Sequence, residues 1–248
     1  MKYFFYDSVT TTNDFAKELA SKEGTVVVSA NYQTRGKGRN SHTWEGDYGK
    51  NIYCSVGLNQ LCMLTPEVLA SYQLMGALIV YDTLKKVAPR VQFAIKYPND
   101  VYAYDRKETK WKKISGVLVE HEFMGSVCMV TVIGMGVNIE QDSFSDDVEN
   151  PISLSLLGVS ITVDNFFSEL KKFIEAYVDL PHGSIFQRYK KIVNIEGVEV
   201  EIKDKTGVWF VESLMPDSRL KVKNTETNEI LHISDGDSIR YKLSAEQK

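Results

Sequence analysis

The 248-residue chain has only three cysteines, Cys54, Cys62 and Cys128, and none stands at metal-ligand spacing from another. So sparse and odd a set excludes a disulfide-stapled scaffold and reads as free buried thiols in a reducing compartment. The four histidines, His42, His121, His182 and His232, are equally scattered, and no zinc spacing, Ser-His-Asp arrangement or Walker-type phosphate loop is present. No run is long and apolar enough to span a bilayer, and the start MKYFFYDSVTTTN lacks a cleavable apolar segment. A soluble, cytoplasmic protein is expected. Positive charge is not in excess either: 29 Lys and Arg stand against 33 Asp and Glu, a formal charge of −4. That argues against a surface spread over nucleic acid or anionic lipid. Internal repeats and low-complexity segments are absent.

What is present is a sizeable apolar fraction, 43%, with an average charged fraction of 25%, enough for one catalytic-size domain and a small appendage. A strand at Tyr3–Tyr6 feeds a helix capped by Thr11 or Thr12 that runs to about Glu23, where Gly24 can take a left-handed cap. Val26–Val28 and Ile52–Leu58 read as strands, separated by a polar, Gly-rich stretch from Gln33 to Lys50 that is too long for a tight turn. Thr65-Pro66-Glu67 opens the clearest helix, which Pro89 stops. Val91–Ile95 alternates as a strand. Val101–Tyr104 and Ile114–Glu120 flank a charged connection, as in a hairpin, and Val127–Val137 is apolar on both faces, as an inner strand should be. A further helix spans Thr162 to about Val178. After about Ile192 the texture changes to short strands separated by turn residues and ending in Asp-Gly-Asp, the pattern of a small β-barrel. Strands mixed with helices without strict β-α-β alternation predict an α+β fold, a mixed sheet flanked by helices.

Four short stretches could carry chemistry, and each has an ordinary explanation. Gln33-Thr34-Arg35-Gly36-Lys37-Gly38-Arg39 places cations among glycines whose backbone can approach an anion, yet a solvated basic turn is the commoner use of such a loop. Trp44 after it can stack on a base or anchor the loop to the core. In Lys96-Tyr97-Pro98-Asn99-Asp100, lysine suits phosphate and Asp suits Mg²⁺ or a guanidinium, although Pro-Asn-Asp is also a frequent turn. Lys113 leads into Ile114-Ser115-Gly116-Val117-Leu118-Val119-Glu120, a cation at the mouth of a buried strand or a simple gatekeeper. Gly134-Met135-Gly136-Val137-Asn138 allows backbone close to a ligand, or only a strand end.

Taken together and in order, with Thr11-Thr12-Asn13 ahead of them, these stretches resemble the biotin–protein ligase family over residues 3 to about 180. The terminal β-region matches by pattern only. The resemblance implies a class II synthetase-like catalytic domain at residues 1–190 and an SH3-like barrel at 191–248. It implies that biotin and ATP form biotinyl-adenylate with Mg²⁺, whose ligands it does not assign. The biotin then passes to one lysine of the biotin carboxyl carrier domain of a carboxylase. By match, Lys113 and Arg39 are catalytic. Thr11, Thr12, Asn13, Gln33, Gly36, Lys37, Gly38, Arg39, Lys113 and Gly116 would bind biotin. Arg39, Trp44, Lys96, Asn99, Asp100, Lys113 and Asn138 would bind ATP. Because the pattern begins at residue 3, there is no room for the winged helix that makes many bacterial relatives repressors. A monofunctional enzyme that binds no DNA is expected, and pairing with a second copy is left open. Three departures stand out: Asn40-Ser41-His42-Thr43 follows the basic loop where the family keeps small or basic residues, Tyr97 replaces a Trp with little expected consequence, and the Asp105–Lys113 connection is long. The nearest rival is a lipoate or octanoate transferase, whose basic-Gly-Gly-Gly signature is absent. A second is a non-enzymatic nucleotide- or nucleic-acid-binding protein built on the barrel, which the acidic residues Glu199, Glu201, Asp204, Glu212, Asp217, Glu226 and Glu229 disfavour.

Overall fold

The computed structural model describes residues 1–39, 42–146 and 148–243. Seven strands form one mixed sheet: β1 (Lys2–Val9), β2 (Val26–Gln33), β3 (Asn51–Cys62), β4 (Phe93–Lys96), β5 (Asp100–Asp105), β6 (Lys110–Met124) and β7 (Val127–Asn138). Their order is β1-β2-β3-β7-β6-β5-β4. Only the β1/β2 pair is parallel. The apolar run of β7 is thus the middle strand, covered on both faces as its composition requires.

Four helices flank the sheet: α1 (Thr12–Glu23), α2 (Pro66–Val87), α3 (Val163–Val178) and α4 (His182–Val193). Thr11, Thr65 and Thr162 cap the first three, each accepting from a backbone N–H in the first turn. Gly24 ends α1 at φ 85°, ψ −131°, a positive-φ residue outside the left-handed helical region expected. α1 covers one face through Ala16 and Ala20 against Val26, Val28, Val130 and Val132. On the other face α2, α3 and α4 bury the main core, with Leu74, Met75, Leu78 and Ile79 fully enclosed; each such side chain contributes roughly 1.5–3 kcal/mol of burial. α4 was not foreseen. It begins after Pro181 with no side-chain cap.

Five short strands follow: β8 (Glu199–Ile202), β9 (Trp209–Leu214), β10 (Leu220–Asn224), β11 (Ile230–Ile233) and β12 (Ile239–Arg240), an antiparallel sheet in the order β11-β10-β9-β8-β12. This is compatible with the small barrel expected. The boundary drawn at 190/191 falls in the last turn of α4, and the core runs on from α4 to Trp209, Val211 and Ile239 without a break. Tyr97 joins the two sheets. Its hydroxyl donates to the Ser218 carbonyl at 2.7 Å, and its backbone N–H donates to the Tyr241 hydroxyl at 2.8 Å. An exchange expected to matter little therefore has a structural use: the phenol reaches a carbonyl of the terminal sheet.

Two histidines stand near the Tyr72 ring, His182 at 5.2 Å and His121 at 6.1 Å between ring centres. His182 Nδ1 lies 2.7 Å from Ser71 Oγ and His121 Nδ1 lies 3.0 Å from Thr131 Oγ1. Burial pushes both imidazoles below their ordinary value, offset in part at His121 by a hydrogen bond with the Leu69 backbone. A depressed folded value means that the unfolded chain binds more protons between the two values, so this stability is complete above pH ~6.5 and is lost as pH falls from there through the folded value. The midpoint of thermal unfolding should drop by a few degrees, on the order expected for a chain of this size, between pH 7.5 and 5.5. His121→Gln/His182→Gln should flatten the slope; an unchanged slope in that variant rules out this origin.

Candidate active site

The cavity lies on the α1 face of the sheet, beyond the N-terminus of that helix, and has a volume of about 140 Å³. At one end is a buried polar cluster. Register places Val9 beside Gln33, so the chain leaving β1 brings Thr12 to the Gln33 amide. Thr12 donates its backbone N–H to Gln33 Oε1 at 2.7 Å, with its hydroxyl 3.1 Å from the same atom. Ser55, fully buried on β3, lies 2.7 Å from both Thr12 Oγ1 and Asn13 Oδ1. Asn13 Nδ2 donates to Glu120 Oε2 at 2.6 Å. Asn13 crosses β7 where that strand has Gly134, whose hypothetical Cβ would meet Asn13 Oδ1 at 2.2 Å.

At the other end are the cations. Lys113 and Gly116 both line the cavity, although residues three apart on a regular strand face opposite ways. A bulge solves this: Val101 pairs with Ser115 and Tyr102 with Lys113, leaving Ile114 as the extra residue that restores Lys113 to the cavity face. The segment after β7 pins it, Lys113 N–H donating to the Asn150 carbonyl at 2.8 Å. Lys113 Nζ stands 2.8 Å from Asp100 Oδ2 and 5.9 Å from the centre of the Trp44 ring. An ammonium has three donors, so the Asp100 contact leaves two for a ligand.

Between the ends, residues 34–39 and 42–44 form a tongue. Lys37 bridges Thr43, Gly38 N–H donates to the His42 carbonyl at 2.7 Å, and Trp44 N–H donates to the Gly36 carbonyl at 3.0 Å. Asn40 and Ser41, and with them part of the departure noted at this loop, lie outside the described residues. Trp44 lays its indole over Gly116 and Gly136, which are register partners on β6 and β7. A Cβ at Gly136 would come within 2.4 Å of the ring. Trp44 Nε1 is buried without a hydrogen-bond partner among the described residues.

Arg39 ties the tongue down. Its Nη1 donates to Asn99 Oδ1 at 2.7 Å, and its Nη2 pairs with Asp235; Asn99 in turn donates to the Val117 carbonyl at 2.6 Å. Lys37 Nζ is 2.8 Å from Asp14 Oδ1. Burial pushes the Asp14 carboxyl up, but hydrogen bonds from Lys37 and Thr11 more than offset it and hold it below the usual range.

Of the residues singled out from the sequence, Thr11, Thr12, Asn13, Gln33, Lys37, Gly38, Arg39, Trp44, Asn99, Asp100, Lys113 and Gly116 come together around this cavity. Three do not line it. Gly36 holds the tongue from outside, where a Cβ would strike the Trp44 carbonyl at 2.2 Å. Lys96 turns its ammonium over the Tyr102 ring at 5.3 Å. Asn138 is buried and donates to the Ile152 carbonyl at 3.0 Å. Ser55, Asp235 and Asp237 enter the site or its support without having been singled out, and Glu120, quoted as the end of the Lys113 stretch, had been given no role; for Asp235 and Asp237 the available signal was the Asp-Gly-Asp turn. Gly236 between them packs against Pro98, where a Cβ would lie 2.5 Å from Cδ.

The sequence model described as the biotin/lipoate A/B protein ligase family matches residues 5–138, more than half of the chain. The chain belongs to this family. The matched span holds all the cavity residues named above except Asp237, which with Asp235 lies in the turn between β11 and β12. Among curated relatives in this family, the bifunctional ligase/repressor BirA of Salmonella typhimurium is 29% identical over 76% of this chain and 58% of its own length. BirA of Bacillus spizizenii is 32% identical over 59% of this chain and 43% of its own. The chain thus spans about half the length of these relatives. Among solved structures, the biotin protein ligase from Aquifex aeolicus in complex with biotin and ATP shares the fold with a TM-score of 0.71 at 21% identity, covering 97% of this chain and 99% of that one. No helix among the described residues is long and apolar enough to cross a membrane.

Proposed function

We propose that this chain is an ATP-dependent biotin–protein ligase that forms biotinyl-5′-AMP and transfers biotin to a lysine of a biotin carboxyl carrier domain. The observation that carries the reading is the two-ended cavity. Thr12, Asn13 and Gln33 offer hydrogen bonds to a polar ring at one end, and Lys113 and Arg39 offer cations at the other, with the apolar Val117, Leu118 and Met135 also on its wall. Biotin has that layout: a cyclic urea, an apolar chain and a carboxylate.

In the first step a biotin carboxylate oxygen attacks the α-phosphorus of ATP. The new O–P bond forms as the bond to the β-phosphate oxygen breaks, and pyrophosphate leaves with the electron pair. Two anions meet there, so fixed cations aimed at the accumulating charge do most for the rate. Lys113 has two free N–H donors for it. Arg39 has five donors, of which one serves Asn99 and one Asp235. In the second step the acceptor amine attacks the acyl carbon, AMP leaves, and the nitrogen loses a proton. ATP arrives as its Mg²⁺ complex. No three His, Cys, Asp or Glu side chains cluster as a cation site among the described residues, so the ion would travel with the phosphates, with Asp100 and Asp237 the carboxylates at hand. The direct test mixes the protein with MgATP, biotin and a carrier domain: one biotinylated lysine is expected, and no label refutes transfer.

The tongue closes this site over the adenylate, which must be kept from water. Arg35 is exposed, whereas Lys37 and Arg39 are held by ion pairs. Trypsin should therefore cut first after Arg35. Biotin at ten times its Kd should slow the cut roughly tenfold if the closed form resists cleavage, and biotin with MgATP should slow it further. A cutting rate indifferent to biotin would mean that the tongue is not the lid.

A further inference from the structure

The polar cluster has a direction, and the residue that sets it lies outside the cavity. Glu120 sits on β6, two residues beyond Leu118, and lines the open groove on the far side of the tongue rather than the enclosed cavity. Its carboxylate only accepts hydrogen bonds. Asn13 must therefore turn its NH₂ towards Glu120, which aims its Oδ1 at Ser55. An amide oxygen only accepts, so the single Ser55 proton goes to Asn13 Oδ1. Ser55 Oγ, 2.7 Å from Thr12 Oγ1, then has no proton left for Thr12. The Thr12 proton turns inward, to Ser55 Oγ or to Gln33 Oε1 at 3.1 Å. Four side chains are polarised from one end. On the cavity side this leaves Thr12 Oγ1 and the second lone pair of Asn13 Oδ1 as acceptors.

We infer that Glu120 is a positioning residue that orients the Asn13 amide and so makes this end of the cavity read N–H donors on the ligand's head. This rests on the biotin reading above and deepens it. A cyclic urea brings two N–H groups to such acceptors, whereas a 1,2-dithiolane brings none and would leave buried oxygens unmet. Without Glu120 the Asn13 amide can rotate, the Ser55 proton can turn to Thr12, and the Thr12 proton can turn outward against the ureido N–H. Packing permits no second arrangement of Asn13 by shift alone. Gly134 lies directly beneath it, and Asn13 itself is 5% exposed.

Glu120 also stands near Lys37, whose ammonium it favours after the larger effect of Asp14, so charge and hydrogen bonding must be separated. The experiment is biotin-dependent exchange of labelled pyrophosphate into ATP, with KM and kcat measured for the wild type, Glu120→Ala, Glu120→Gln, Asn13→Ala and the double variant Glu120→Ala/Asn13→Ala. Glu120→Ala should raise the biotin KM about tenfold or more, with kcat at saturation within about threefold and the ATP KM unchanged, the split expected when uniform binding is lost. Glu120→Gln keeps an acceptor for Asn13 and should stay within about threefold of the wild type in every constant. In the Asn13→Ala background the loss of Glu120 should add nothing, because the two residues act as one unit. A merely structural role would lower the active fraction, and hence kcat, and leave the biotin KM alone. Wild-type exchange with biotin together with an unchanged KM in Glu120→Ala overturns this inference and leaves the functional reading standing. A Gln variant as poor as the Ala variant overturns it in favour of the charge on Lys37. A wild type that exchanges with lipoate and not with biotin defeats the functional reading, and this inference with it.

Discussion

Replacing Lys113 by alanine lowers the rate of adenylate formation on the order of 10²-fold or more, the loss typical when one transition-state donor is removed, while the biotin KM changes less. The asymmetry follows from when the charge matters. The ammonium meets a single carboxylate in the substrate complex but a crowded phosphorus in the transition state. The variant also strips Asp100, 2.8 Å away, of its partner and leaves a carboxylate facing an incoming anion. Asp100→Asn should for that reason recover part of the loss in the Lys113→Ala background. Lys112 is the control. It lies 3.1 Å from Asp105 and 2.7 Å from Glu108 at the β5–β6 hairpin, and Lys112→Ala should leave turnover essentially unchanged. Single-turnover measurement of adenylate with quenched samples separates these outcomes. Near-normal turnover in Lys113→Ala would remove this residue from the chemistry.

Gly136→Ala has the second large effect. The added methyl would stand 2.4 Å from Trp44 Cε2 and 2.5 Å from its Nε1, distances that force the indole away. The ring must turn about its own side-chain torsions or carry the tongue with it, since Trp44 N–H is bonded to the Gly36 carbonyl across the tongue. The displaced ring and tongue enter the space between the two cavity ends. A misplacement of about 1 Å at a reacting centre can lower the rate on the order of 10²-fold, and that loss is expected in kcat/KM for both biotin and ATP. Gly134→Ala differs in kind: the three atoms nearest its methyl all belong to Asn13, Oδ1 first at 2.2 Å, so it should raise the biotin KM and spare the ATP KM. Steady-state exchange kinetics on the two variants distinguish them. Equal behaviour of both, or wild-type kinetics in Gly136→Ala, would mean that the glycines do not shape the site.

Much of this fold was legible because its signals are local. Thr65 before Pro66, Thr162 before an amphipathic run and the nearly all apolar Val127–Val137 each specify an element by short-range physics. α4 was missed although Ile185, Phe186, Tyr189 and Val193 keep helical spacing; Pro181 supplies no side-chain cap, so the start signal was absent. β12, with two residues, is too short to carry a pattern. The site was legible where chemistry and spacing coincide, in the tongue and around Lys113. It was illegible where tertiary structure decides. The bulge at Ile114 cannot be read from alternation. Asp235 reaches Arg39 only because the terminal sheet packs on the Tyr97–Pro98 corner. Ser55 is an unremarkable residue in an apolar strand until Asn13 is laid beside it. Lys96 and Asn138 show the converse, polar residues in promising stretches whose side chains the fold turns to other partners.

The central claim, activation of biotin by ATP in the cavity between α1 and β6, is tested most directly by exchange of labelled pyrophosphate into ATP with biotin, lipoate or no acid present. Exchange that requires biotin, is unsupported by lipoate and collapses in Lys113→Ala is the predicted result. Exchange driven by lipoate, or none with either acid from a folded protein, would contradict it.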